Sequence, residues 1–166
     1  MSCLINAGYT RGCDVAGGYK QLLFINYDDI DTLTITAGAV SAMTLKTSKK
    51  AYVYNVEQEV TTVSEKSIGS KENGSYGYEQ KLTTKLHGND ATLNQLIDNL
   101  IKARIVVVAV GNDGARTILF HQFGAKAEAE YKNEAKFDGF VGYDISFTHR
   151  QTEKSATVPA SITIPT

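Results

Sequence analysis

The residues able to do chemistry are few and scattered. The histidines are His87, His121 and His149, each on a predicted strand or at a strand end. No His-x-x-x-His or HExxH pair occurs, so zinc hydrolase chemistry has no anchor. A lone histidine on a strand reads as a sheet or surface residue. Cys3 and Cys13 both fall in the glycine-rich first 18 residues. They could form a disulfide in an oxidising compartment, but two thiols without further ligands make a poor zinc site, and reduced apolar packing is the expectation. Asp28, Asp29 and Asp31 form an acidic cluster that lacks the glycine and terminal glutamate of a calcium loop, and reads as a solvated turn. Gly69 to Gly74 has the first spacing of a phosphate-binding loop, yet Ser75-Tyr76 stands where Lys-Ser/Thr is required. No nucleophile elbow or dinucleotide fingerprint occurs. The expectation is a protein that is not an enzyme and needs no cofactor or metal.

Composition bounds the remaining options. The 166 residues suit a single domain with its own core. Hydrophobic residues make up 42% and charged residues 21%, which argues against wholesale disorder. A net charge of -1 leaves no broad basic footprint for nucleic acid. The longest apolar run, Ile105 to Val110, is too short to cross a bilayer, and the N-terminus lacks the basic opening and apolar run of a signal peptide. A protein made in the cytoplasm, with no membrane partner, is expected. Asn73-Gly74-Ser75 matches a glycosylation acceptor and is read as a turn.

The elements follow from periodicity. Residues 1–18 read as an extended arm, 19–150 as the core and 151–166 as an extended tail carrying both prolines. YKQLLFIN reads as a strand, and TLTIT and AVSAMTL as a hairpin about Ala37-Gly38. Tyr52, Tyr54, Val56 and Val60 alternate with polar residues, and Tyr78, Leu82 and Leu86 alternate with Gly77, Glu79, Lys81 and Lys85. These two runs are expected to pair as a long hairpin around a flexible loop, Ser64 to Gly77. Leu93, Leu96, Ile97, Leu100 and Ile101 form one apolar stripe, giving an amphipathic helix at about 90–104, capped by Asn89 or Asp90. Ile105 to Val110 is apolar on both parities and predicts a strand buried on both faces, turning at Gly111 to Gly114 into RTILFHQF. The alternating stretch after Gly124 reads as a strand rather than a helix, and FVGYDISFTHR as another. The fold class is mostly β (α+β): an antiparallel β-sandwich or barrel with one flanking helix and a long hairpin loop.

Strands with one polar face, a hairpin tip and extended ends suit joining to neighbours. The order of elements over 19–150 resembles the tail-tube protein family of long-tailed bacteriophages. The stretches SYGYEQKLTTKLHGNDATLNQLIDNL, KARIVVVAVGNDGARTILF and GFVGYDISFTHRQTEKS resemble small virion proteins in phages of Bacteroidetes-type hosts. The resemblance implies hexameric rings that stack around a DNA channel, with partners that are further copies and other virion proteins. DNA would be passing cargo. It implies subunit contacts through Ser67, Ile68, Lys71, Glu72, Asn73 and Tyr76 of the loop, through Leu4, Ile5 and Tyr9 of the arm, and through Val158 and Ile162 of the tail. Glu57, Glu59, Glu79 and Lys81 would face the lumen or the exterior. Other virion roles open to such a fold are head–tail joining, tail termination and capsid decoration. A different class is a ligand- or carbohydrate-binding module using Tyr52, Tyr54, Tyr76 and Tyr78, although their parity with leucines favours core packing.

Overall fold

The computed structural model describes residues 7–11, 13–14 and 16–166. Eleven strands and one helix follow in chain order: β1 (Tyr19–Asn26), β2 (Ile30–Thr36), β3 (Ala39–Leu45), β4 (Tyr52–Asn55), β5 (Thr62–Ser70), β6 (Ser75–His87), α1 (Ala91–Lys102), β7 (Ile105–Gly111), β8 (Arg116–Leu119), β9 (Ala127–Asn133), β10 (Val141–Gln151) and β11 (Ala156–Thr157). They build a seven-stranded sheet, ordered β2-β3-β11-β8-β7-β1-β4, and a four-stranded sheet, β5-β6-β10-β9. The chain is a two-sheet, mostly-β fold with a single α-helix among the described residues, and neither sheet closes into a barrel.

β7 explains the layering. All seven of its residues are buried, because the large sheet has a core on each side. On one side Val107 and Ala109, with Leu22 and Phe24 of β1, meet Leu82, Ile145 and Phe147 of the small sheet and Ile97 and Leu100 of α1. On the other, Val106, Val108, Val110, Leu23 and Ile25 meet Val40 and Met43 of β3, with Val158 and Ile164 of the C-terminal segment. The large sheet therefore curls over a second core, which the tail fills.

The helix starts where Asp90 accepts a 2.7 Å bond from the Leu93 N–H. Its stripe buries Ile97 and Leu100, while Ile101 remains 39% exposed. The β2–β3 turn places Ala37 (φ 52°) and Gly38 (φ 80°) both in the left-handed region, as a primed two-residue turn requires.

Three expectations need correction. Ser64 to Gly77 is not a flexible loop: β5 and β6 run in unbroken register to Ser70↔Ser75, leaving only residues 71–74 as the turn. Nor does the Tyr52–Asn55 run pair with β6; it is the edge of the large sheet, paired with β1 through Phe24↔Tyr52 and Leu22↔Tyr54. The tail is not a free extension. β11 sits between β3 and β8, Val158 is 4% exposed, and the Ala51 N–H donates to the Pro165 carbonyl at 2.7 Å.

Candidate assembly surface

The four-stranded sheet is the most regular part of the molecule. β6 and β10 stay in register over ten pairs, from Gly142↔His87 to Gln151↔Tyr78. β9 joins through Val141↔Asn133 to Phe147↔Ala127, again without a bulge. β5 and β9 are the open edges. Neither contains proline, and neither is broken by a bulge, two of the devices by which proteins blunt exposed edges. Because every pairing is antiparallel and the strand number is even, the two edges run in opposite directions.

One face of this sheet packs on the core and the other is polar. The inner positions include Val63, Leu82, Ile145 and Phe147. The outer positions carry Lys66 on β5; Glu79, Lys81, Thr83 and Lys85 on β6; Asp144, Ser146 and Arg150 on β10; and Glu128, Glu130 and Lys132 on β9. Several of their charges pair within the sheet. Lys132 lies 2.6 Å from Asp144 and 3.4 Å from Glu130, and Arg150 donates to Glu79 at 3.0 Å. The carboxylates beside the Lys132 ammonium, Asp144 first and Glu130 second, hold its pKa above the ordinary lysine value. A hollow of about 460 Å³ crosses β6, β10 and β9 on this face, lined by Thr83, Lys85, Glu130 and Asp144 among others.

The inner face also carries a polar knot that the sequence did not announce. Gln80, wholly buried, donates from Nε2 to Glu65 at 2.7 Å and accepts at Oε1 from the Phe120 N–H and from Gln151 Nε2, both at 2.7 Å. Glu65 also accepts from the Ser155 N–H at 2.7 Å, and Gln151 Oε1 from the Gln122 N–H at 2.9 Å. Thr61 and Thr84 share a buried hydroxyl contact at 2.9 Å. The only signal for this network is polar residues at parities that otherwise hold leucine and phenylalanine.

The anticipated contact residues divide sharply. Ser67 and Ile68 lie on the open edge β5, Lys71, Glu72 and Asn73 form the turn, and Tyr76 is 76% exposed at the start of β6. These six are brought together. Tyr9 is 89% exposed and apart from them in sequence and element; Leu4 and Ile5, like Cys3, lie outside the described residues. Val158 is buried in the chain's own second core, and Ile162 packs half-buried against it. Among the proposed lumenal residues, Glu79 and Lys81 share the outer face, directly opposite Arg150 and Thr148 on β10. Glu57 and Glu59 lie off that face, in the connection before β5, with Glu59 in the left-handed region at φ 63°.

The four tyrosines do not form a platform. Tyr52 and Tyr54 are on the large sheet, with Tyr54 4.3 Å from the Phe24 ring, whereas Tyr76 and Tyr78 are on the small one. Tyr76 shares the parity of core residues yet is exposed, because the hairpin extends past the end of the core. Among the described residues no three His, Cys, Asp or Glu side chains are placed to hold a metal ion. Asp29 instead accepts from Asn26 at 2.9 Å and lies 3.4 Å from Lys49. The histidines stand apart: His87 meets the Phe140 ring edge-on, His149 meets Phe123, and buried His121 lies 3.1 Å from Glu153. Cys13 is exposed and free. No helix among the described residues is long and apolar enough to cross a membrane.

Compared with models of known protein families, with curated proteins and with solved structures, the chain matches none.

Proposed function

We propose that the chain is a bacteriophage virion structural protein, a tail-tube subunit whose copies close into stacked hexameric rings around a DNA channel. The observation that carries this reading is the four-stranded sheet with two open, oppositely directed edges and one polar, hollowed face. When copies are related by rotation about an axis, β9 of one meets β5 of the next in the antiparallel sense, so the alternation continues around the ring. An odd strand number would force a parallel junction. Six four-stranded sheets make a barrel of roughly 24 strands, about 37 Å across between backbones before tilt at ~4.8 Å per strand. Such a bore admits a DNA duplex.

Side chains at the junction are complementary. Keeping the polar faces continuous requires that outer positions oppose outer positions. In the centred register, Lys66 of β5 then lies across from Glu130 of β9, with Glu128 one outer position along. The lumenal face would carry mixed charges, some paired to one another, such as Arg150 with Glu79.

Electron microscopy and light scattering of the purified chain test the reading. Rings or tubes are expected, lost in Lys66→Glu and recovered when Glu128→Lys and Glu130→Lys are added. A chain that stays monomeric at high concentration, or rings indifferent to both changes, would overturn it. Retention on immobilised sugars by a monomer would favour a ligand-binding module.

A further inference from the structure

Three places in the chain set an amide or acid side chain directly before glycine: Asn73-Gly74, Asp113-Gly114 and Asp138-Gly139. Asparagine is chemically labile, and most so before glycine, whose nitrogen has no Cβ beside it to keep it from the preceding side-chain carbonyl. No other asparagine in the sequence is followed by glycine. Each of the three pairs lies in a connection between strands: β5–β6, β7–β8 and β9–β10. The fold treats them differently.

A glycine nitrogen that attacks its neighbour must first release its hydrogen, and in two of the pairs that hydrogen is held. The Gly114 N–H donates to the Gly111 carbonyl at 3.0 Å, and the Gly139 N–H to the Lys136 carbonyl at 2.9 Å. The Asp113 carboxylate is held as well, accepting from the Ala115 N–H at 3.0 Å. Asn73-Gly74 is the exception. Its turn is fastened from the Asn73 N–H to Ser70 Oγ at 3.3 Å and from the Ser70 N–H to Ser75 Oγ at 3.2 Å. The Gly74 N–H and the Asn73 side-chain amide are left without a partner among the described residues. Both residues are exposed, and a Cβ built on Gly74 would meet nothing within 4 Å, so the site is open to water. Residues 71–74 lie beyond the last ladder pair, Ser70↔Ser75, and closing a ring there disturbs no strand pairing.

We propose that Asn73 is a self-modification site, deamidated spontaneously with the Gly74 nitrogen as nucleophile. That nitrogen gives up its proton and bonds to Asn73 Cγ. The Cγ–Nδ2 bond breaks, and Nδ2 leaves with the proton as ammonia, closing a succinimide ring. Water then opens the ring. Opening at Cγ leaves aspartate on an ordinary main chain; opening at the main-chain carbonyl leaves isoaspartate, with the chain rerouted through Cβ and Cγ. One water is consumed, one ammonia is released, and nothing is oxidised or reduced. Either product sets a carboxylate beside Glu72, so a turn that Lys71 and Glu72 leave formally neutral becomes negative. Isoaspartate also lengthens the main chain by one atom inside a four-residue turn. The β5–β6 connection therefore carries a one-way change of charge and shape, and it operates whether or not copies of the chain assemble.

The test incubates the folded, full chain in mildly alkaline buffer and maps its peptides by mass spectrometry over time. Amide should turn to acid at Asn73, as a mixture of aspartate and isoaspartate, at least about tenfold faster than at any other asparagine. Asp113 and Asp138 should stay unisomerised in the folded chain and begin to isomerise in urea, where their glycine N–H groups are released. Asn73→Gln, whose side chain would have to close a larger ring, should abolish the reaction while leaving Gly74 in place. Gly74→Ala should slow it by about tenfold, but φ is 62° there, so Asn73→Gln is the cleaner control. A folded chain that keeps its Asn73 amide while the same chain in urea loses it overturns the proposal. Aspartate formed without isoaspartate overturns the succinimide route, and isomerisation of Asp113 and Asp138 in the folded chain as fast as the change at Asn73 overturns the part given to the glycine hydrogen bonds.

Discussion

Gln80 Oε1 accepts a 2.7 Å hydrogen bond from the backbone N–H of Phe120, and this bond joins the two sheets through the middle of the core. Phe120 follows β8 in the left-handed region at φ 59°, a conformation that costs a bulky residue about 1 kcal/mol or more. Its N–H has left the ladder there, and its ring is wholly buried against Phe147. Gln80 supplies the partner the ladder cannot, and Gln151 and Glu65 hold Gln80 in place.

Gln80→Leu should therefore cost more than a surface change of the same size. It leaves the Phe120 N–H and the Gln151 amide without partners in a dry site, at about 1–3 kcal/mol each. A fall in melting temperature of roughly 6–12 °C is expected for a chain of this length. Adding Gln151→Leu should cost less than the sum of the two, because they share one network. Calorimetry of the three variants decides; a shift below about 2 °C for Gln80→Leu sinks the assignment.

Deleting residues 158–166 should destabilise the fold, whereas deleting 1–16 should not. The first removes Val158 and Ile164 from the second core, along with the carbonyls of Pro159 and Ile162 that Arg116 holds. A loss of about 3–5 kcal/mol follows from the cavity and the stranded partners. The arm residues described between 7 and 18 are exposed and outside both cores. Urea midpoints of the two truncations give the comparison, and equal midpoints would refute it.

The sequence disclosed those elements whose burial matches their hydrophobic pattern. β7 is apolar on both parities and lies between two cores; α1 has a cap and a stripe, and both are present. Where polar side chains occupy inner positions the pattern fails. Glu65 and Ser67 made β5 read as loop, yet Glu65 is satisfied by Gln80 and the Ser155 N–H, so the strand continues. The tail misled for a related reason: Val158 and Ile164 are two apolar residues in a polar, proline-bearing stretch, and only the curl of the large sheet gives them a core. For the candidate surface, Tyr76 and the β5–β6 turn were legible because turn chemistry is local.

Gly142→Ala should be among the most damaging single-methyl changes. Gly142 has φ 155°, and an added Cβ would lie 2.1 Å from the Leu86 carbonyl oxygen on the paired strand. Relief requires β10 to move off β6, which breaks their register at its first pair, Gly142↔His87. A cost of at least about 3 kcal/mol is expected from strain and lost pairing. Gly114→Ala is the control: φ is 85° but the space is open, so about 1 kcal/mol is expected. Chemical denaturation of both variants measures the gap, and comparable losses would show that the β6–β10 contact yields easily.

Alkaline pH should destabilise the protein through Tyr54. Burial beside Phe24, and secondarily the neighbouring Tyr52, hold its phenol above the ordinary tyrosine value. Burial, then Asp113, does the same for Tyr19. A raised folded-state pKa means the native state keeps its proton after the unfolded chain has released one. The resulting stabilisation is fully present below about pH 10, the unfolded value, and is lost as pH rises through the folded value. Tyr54→Phe has no proton to lose, so its stability should fall less steeply above pH 10. Tyrosinate absorbance should show the same change, with one late-titrating phenol of the nine tyrosines gone in that variant. Superimposable alkaline limbs for the two proteins would show that Tyr54 titrates as freely as an exposed phenol, and that the edge formed by β4 opens before the rest of the large sheet.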